Sequence, residues 1–393
     1  MSALYRFAER SFSVAPFLDT AFFFRPLRAI ICMNYAPEAR LSLAPWLIRI
    51  PQIFSPWTAG LLELLGCKRS TPLGPEFHLI HIPDPEKIHH GPASPFISWN
   101  LPIHHSWPCH PPKMERFIEK AAQSLHKKFS PLQPQSLQVG PLQTAAPDRY
   151  YKSLASNLRG RALQLFPLMS GSAPADTQDP DKPTLFCLAG KEGLFAGLQS
   201  PRACNGFFPG GALFVSQNAD STISRAGAKV AEALHYLLLH RPAPPAGWHW
   251  LELGASPGGM TSELLQRGQR VTALDRAPLD RRLDGHPGLT FWKADAASFQ
   301  PPSGTVYDAL LCDMNGDSRH ALRSVIRLTK YLRPGSLMIF TLKTPGSDDL
   351  DSLLNSIRLT LEDASHGRLK LISLTHLSHN RQEFTCFFES PTR

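Results

Sequence analysis

The sequence predicts an α/β fold: a doubly wound, mostly parallel sheet over residues 213–393, preceded by an α+β region. Three observations carry this. From residue 213 onward, short apolar runs alternate with amphipathic stretches, which is the pattern of strand–helix units feeding a parallel sheet. The first of these runs, Trp248–Leu253, breaks at a glycine-rich turn, Gly254-Ala255-Ser256-Pro257-Gly258-Gly259, and opens straight into a helical stretch. Upstream, the pattern changes at Lys113, where two amphipathic helices and a hairpin signature replace a proline-dense segment.

Residues 1–112 carry little periodicity. Trp46–Ile50, stopped by Pro51, and Phe77–Ile82, stopped by Pro83, predict short strands, and Thr58–Leu65 predicts a helix. Apolar patches before residue 33 are interrupted by Arg6, Arg10, Arg25 and Arg28, so a secretory signal is not expected, and a poorly ordered extension fits as well as a presequence. The run His89-His90, His104-His105, Cys109-His110 invites a metal reading. Adjacent histidines on a regular element cannot both face one ion, and the spacing matches no standard site. No metal is expected, and the histidines are read as surface or RNA-facing.

In 113–212, Lys113–Phe129 places Met114, Phe117, Ile118, Ala121, Ala122 and Leu125 on one face of a helix, with lysines and Arg116 on the other. A second helix is expected over Asp148–Phe166, with Asp148 as its cap. After a linker at Ser170–Pro183, Thr184–Ala189 and Leu194–Leu198 flank Gly190-Lys191-Glu192-Gly193, a hairpin signature. Two helices with basic faces against a small sheet suit RNA docking.

In 213–393 the expected strands are Trp248–Leu253, Arg270–Leu274, Leu289–Trp292, Val306–Cys312, Ser336–Leu342 and Leu369–Leu374, with Glu383–Glu389 as an edge hairpin strand. Helices are expected at Ala226–Leu239, Met260–Arg267, Ser318–Leu332 and Asp349–Ala364. Ligands of such sheets bind outside the carboxyl ends of the strands, where the glycine turn lies. A dinucleotide fingerprint wants a second glycine facing the pyrophosphate. Ser256-Pro257 stands there instead, so a ligand without phosphates, such as S-adenosylmethionine, fits better than a nicotinamide dinucleotide. Three aspartates close successive strands. Asp275, about twenty residues past the turn, is placed for ribose hydroxyls. Asp295 is placed for an adenine amino group, and Asp313 stands beside the reactive centre.

Lysine and arginine outnumber aspartate and glutamate 41 to 32 in the 393 residues, a net charge of +9, which argues for a polyanionic partner and says nothing of fold. Seven cysteines without a C-x-x-C pair read as reduced thiols, and no apolar stretch is long enough for a membrane span. A cytoplasmic setting is expected.

Four residues then make the likeness specific: Lys229 in AKVAEAL, Asp313 in CDMNG, Lys343 in FTLKTP and Glu383 in RQEFT. In this order and context the domain resembles the FtsJ-type family of ribose 2′-O-methyltransferases. The resemblance implies a Rossmann-like catalytic domain over 213–393, S-adenosylmethionine as cofactor, and cofactor contacts from Gly254, Ala255, Ser256, Pro257, Gly258, Gly259, Asp275, Asp295 and Asp313. It also implies a Lys-Asp-Lys-Glu tetrad of Lys229, Asp313, Lys343 and Glu383. Within the family the likeness is to a branch acting on a cytidine of 23S rRNA, free or in a large-subunit precursor. That branch carries a ferredoxin-like unit, here 1–112, and a THUMP-type RNA-binding domain, here 113–212. The tetrad has a chemical logic. A ribose hydroxyl must lose its proton as it attacks, and a lysine serves as base only when burial or a neighbouring cation makes it give up its own. Lys343 is assigned as that base and Lys229 as the neighbouring cation, with Asp313 and Glu383 holding both. Another RNA, such as tRNA, remains open as substrate, as does an RNA-binding protein with a vestigial methyltransferase fold. The sequence leaves the oligomeric state undetermined.

Overall fold

A computed structural model describes residues 45–142, 149–166, 178–211, 222–344 and 349–391, with residues 169, 213 and 346 between them. The N-terminal extension, the Asp148 cap and most of the Ser170–Pro183 linker lie outside the described residues.

The first sheet is built from β1 (Trp46–Arg49), α1 (Thr58–Leu64), β2 (Arg69–Pro72), β3 (Phe77–His81), α2 (Glu86–His90) and β4 (Trp99–Pro102). Its spatial order is β2-β3-β1-β4, and each neighbouring pair is antiparallel. Leu47 and Ile48 are fully buried on opposite faces of β1, so this strand has core on both sides.

The second sheet joins β5 (His105–Trp107), β6 (Ser136–Pro141), β7 (Thr184–Gly190) and β8 (Gly193–Gln199), in the order β5-β8-β7-β6. β5, although it precedes Lys113, pairs with β8 and so belongs to this sheet. Helices α3 (Phe117–Phe129) and α4 (Arg149–Leu165) cover one face. The first begins four residues later than expected: Pro111–Lys113 forms a separate 3-10 turn and Arg116 takes a left-handed φ of 56°. Along β7 every residue is buried. Leu185, Cys187 and Ala189 meet the two helices, while Phe186 and Leu188 meet Leu47, Trp99 and Leu101 of the first sheet. A short α5 (Pro201–Cys204) follows.

The third sheet has seven strands. Its elements are α6 (Ala226–Leu237), β9 (His249–Leu253), α7 (Gly259–Gln266), β10 (Arg270–Asp275), β11 (Leu289–Lys293), β12 (Tyr307–Cys312), α8 (Ser318–Leu328), β13 (Leu332–Lys343), α9 (Leu350–His366), β14 (Lys370–Thr375) and β15 (Glu383–Glu389). The order is β11-β10-β9-β12-β13-β15-β14, parallel from β11 to β13 and antiparallel beyond it. This is a Rossmann-like α/β sheet. One expectation reverses: β15 is not an edge strand but sits between β13 and β14, and Phe384–Phe388 is buried throughout. A mostly apolar run, broken only by the buried Thr385, is what a strand covered on both faces requires.

From Ser42 onward the chain is one compact unit. Phe54, just after β1, is 1% exposed and stacks on Phe384 with ring centroids 5.4 Å apart. Phe96 meets the same ring edge-on at 5.1 Å. Burying one such side chain contributes about 1.5–3 kcal/mol, so the first sheet's unit is part of the support beneath Glu383. The six described cysteines are free thiols. No helix among the described residues is long and apolar enough to cross a membrane.

Two of the segment's histidines are packing residues: His89 lies edge-on to Trp46, and His105 lies edge-on to Phe129. Among the described residues no three potential ligands converge on a metal position.

Candidate active site

Sheet order brings three of the four tetrad residues into a row. β9, β12, β13 and β15 are consecutive neighbours. Asp313 follows the last residue of β12 and donates its N–H to the Leu253 carbonyl at 3.1 Å, which places it beside the glycine turn. Lys343 ends β13 and pairs across the ladder with Glu383, which begins β15. Lys229 comes from α6. Its ammonium donates to Glu383 at 2.7 Å and lies 3.2 Å from Asp313. The Lys343 ammonium lies 3.2 Å from Asp313 and 3.9 Å from Glu383. Two cations and two anions thus alternate around one point, each side chain 12–17% exposed.

Burial alone works against charge on Lys229. The Asp313 and Glu383 carboxylates outweigh it and hold the amine above its ordinary pKa. It is the fixed cation of the cluster.

The glycine turn owes its shape to close protein contacts. Gly254 has φ +80°, and a Cβ there would meet the Asp313–Met314 backbone at 3.0 Å. At Gly258 and Gly259 a Cβ would run into Leu283 and Ser224. The space a Cβ would take at these three glycines is occupied by protein, and at Gly254 the missing side chain lets the turn pack against the end of β12. Polar groups at the turn are oriented by Asp275, whose carboxylate accepts the Ser256 N–H at 2.9 Å and the Ala277 N–H at 2.8 Å. Ser256 Oγ donates to the Pro278 carbonyl. Asp295 folds back on its own turn through the Ala297 N–H and pairs with the largely exposed Arg276. Ala255 is buried beneath the turn, and Pro257 accepts the Asp280 N–H at its carbonyl.

Two residues were missed by the sequence reading. Glu252, on β9, is 2% exposed and accepts the Thr261 hydroxyl at 2.7 Å. Burial, with the Asp313 and Asp275 charges adding to it, pushes its carboxyl up to about 8. Its signal was an acidic residue inside the apolar run WLEL. Glu232, one turn past Lys229 on α6, accepts the N–H groups of Ser378 at 2.8 Å and His379 at 3.1 Å, and His379 Nδ1 lies 2.9 Å away. Burial opposes its charge, but the His379 and Ser378 hydrogen bonds prevail and hold it below the usual carboxylate range. It pins the loop leading into Glu383 to the helix carrying Lys229.

Residues 222–361 match the model of the FtsJ-like methyltransferase family. That stretch contains the glycine turn, Asp275, Asp295, Lys229, Asp313 and Lys343, while Glu383 lies beyond it. Several curated relatives share one name, ribosomal RNA large subunit methyltransferase M. The protein of that name from Halorhodospira halophila is 34% identical over 169 residues, covering 42% of this chain and 46% of the relative. The one from Laribacter hongkongensis is 30% identical, covering 43% and 48%. The match to the Shewanella loihica protein is longer, 26% identical over 63% of this chain and 69% of the relative. For the first two, the alignment spans about half the length of the relative. Solved structures superpose loosely: a Methanococcus jannaschii fibrillarin covers 57% of this chain and 87% of its own at 12% identity, with a TM-score of 0.35.

Proposed function

We propose that this chain is an S-adenosylmethionine-dependent ribose 2′-O-methyltransferase acting on a cytidine of 23S rRNA, free or in a large-subunit precursor. The observation that carries the reading is the convergence of Lys229, Asp313, Lys343 and Glu383 beside the glycine turn. The shared name of the relatives supports the substrate class, and a net charge of +9 suits a polyanion. An RNA of this kind would place the protein in the cytoplasm.

The donor set fits the cofactor. Asp275, Asp295 and Asp313 stand at successive strand ends, and Arg276, which follows Asp275, is already paired with Asp295. An acid-rich site suits ribose hydroxyls and a positively charged sulfonium, and it disfavours a pyrophosphate. Asp275 would hold the ribose hydroxyls. Asp295 would meet the adenine amino group in place of Arg276, and Asp313 would face the sulfonium. When bound, the cofactor would supply an electrophilic methyl group.

The chain's own residues then deal with the proton. Lys343 Nζ, after releasing one of its own protons to solvent, accepts the proton of the attacking 2′-hydroxyl as a neutral amine. Lys229, kept charged by carboxylates on two sides, offsets the negative charge developing on that oxygen. Asp313 and Glu383 hold both amines within a few ångströms of one point, which is the positional part of the rate enhancement.

Docking of the RNA would fall to the upstream units. The β-α-β-β-α-β connectivity of residues 46–102 supports a ferredoxin-like reading. The sheet with α3 and α4 supports a THUMP-like RNA-binding role for roughly 104–212, with Lys120, Lys127, Lys128, Arg149 and Lys152 available for phosphates. Lys343→Ala tests the assignment: methyl transfer to RNA should vanish while calorimetric affinity for S-adenosylmethionine stays within about threefold, under 1 kcal/mol. Product at a comparable rate would remove Lys343 as the base.

A further inference from the structure

We propose that Asn315 is a positioning residue for the base, its amide oxygen aiming the Lys343 amine without fixing a positive charge on it. The inference rests on the reading of Lys343 as the proton acceptor.

The shortest contact of the Lys343 amine is not to a carboxylate. It donates to Asn315 Oδ1 at 2.9 Å, against 3.2 Å to Asp313 and 3.9 Å to Glu383. Asn315 lies two residues past Asp313, on the turn where the chain leaves β12 and reverses at Gly316, φ +102°. Asp317 then caps α8 by accepting the His320 N–H at 2.7 Å. Ser318 accepts the Lys343 N–H at 2.7 Å and donates to the Lys343 carbonyl at 2.9 Å. One short segment, Asp313–Ser318, therefore grips Lys343 at its backbone and at its amine.

The charge of the groups facing that amine gives the amide its purpose. Among the described residues the carboxylates within 4 Å are Asp313 and Glu383, both shared with the Lys229 ammonium, and the buried Cys312 thiol, next to Asp313 in the chain, interacts with the amine electrostatically. Burial pushes that thiol up to about 12, so it brings no charge. Two carboxylates already balance two lysines. A third carboxylate in place of Asn315 would favour the ammonium form and oppose its loss of a proton. An amide oxygen accepts an N–H from the ammonium and from the neutral amine alike, so the aim survives the proton's departure. Side-chain exposure at Asn315 also leaves the amide on the solvent side of the amine, where a substrate would approach.

The test is single-turnover methyl transfer from tritiated S-adenosylmethionine to the target RNA between pH 6 and 10, for the native protein, Asn315→Asp, Asn315→Ala and Lys343→Ala. The added carboxylate of Asn315→Asp should move the acid limb of the rate profile to higher pH by about one unit, with a roughly tenfold lower rate below the limb. Rates should recover to near the native plateau at high pH. Asn315→Ala should lower the plateau without the upward move, and S-adenosylmethionine affinity should be unchanged in both. An unmoved limb in Asn315→Asp, or equal losses at every pH in both variants, would overturn the proposal. An active Lys343→Ala would instead overturn the base assignment itself, so the two failures are told apart.

Discussion

Replacing Glu252 with glutamine should make the protein's stability depend less on pH between 5 and 8. The carboxyl sits on β9 under the glycine turn, 2% exposed, with the Thr261 hydroxyl as its donor. Burial raises it from 4.5 to about 8. A group whose folded pKa is raised keeps its proton in the folded state after the unfolded chain has lost its own. Its contribution is fully present below pH 4.5 and is lost as pH climbs through 8. Over that window each pH unit costs about 1.4 kcal/mol, so the native protein should lose on the order of 3–4 kcal/mol between pH 5 and pH 8 from this group. Glutamine keeps the volume and can still accept from Thr261, but it has no proton to lose. Urea denaturation at pH 5, 6, 7 and 8, native against Glu252→Gln, isolates the term as a difference curve that grows with pH in favour of the variant. A difference that stays flat over this range would show that Glu252 does not keep its proton in the folded protein.

Two further substitutions follow from the site. Asp275→Ala removes the acceptor for the Ser256 N–H as well as the proposed ribose contact, so calorimetry should show S-adenosylmethionine affinity falling about tenfold or more, 1.4 kcal/mol per decade; an unchanged affinity would remove Asp275 from the site. Glu232→Ala frees the Ser378–His379 loop from α6, and misplacement of Glu383 by about an ångström should lower kcat roughly tenfold to a hundredfold. The KM for S-adenosylmethionine should hold, and a fall in KM-dependent binding with kcat intact would show that Glu232 does something else.

The sequence carried the parts of this fold that chain punctuation marks. Glycine and aspartate at strand ends located the turn, Asp275, Asp295 and Asp313, and the helical period located α3. What it could not carry was adjacency. Lys343 and Glu383 are forty residues apart and become ladder partners only because β15 inserts between β13 and β14. The mostly apolar FTCFF run was the available sign of an interior strand. β2 was invisible for the opposite reason: Arg69–Pro72 is exposed along its whole length and has no apolar pattern to read. The glycines of the turn were legible as necessary, but only the neighbours Asp313, Leu283 and Ser224 reveal that packing is what requires them. Asn315 and Glu232 act through partners distant in sequence, and no local pattern announces such contacts.

We propose that these residues methylate a ribose hydroxyl of large-subunit RNA. The direct measurement is transfer of tritiated methyl from S-adenosylmethionine to fractionated RNA from a strain lacking this gene, followed by mapping of the labelled nucleotide. Label is expected in 23S rRNA, at one cytidine, on the 2′-oxygen, and none with Lys343→Ala. Label in tRNA, label on a base, or no transfer to any fraction would contradict it.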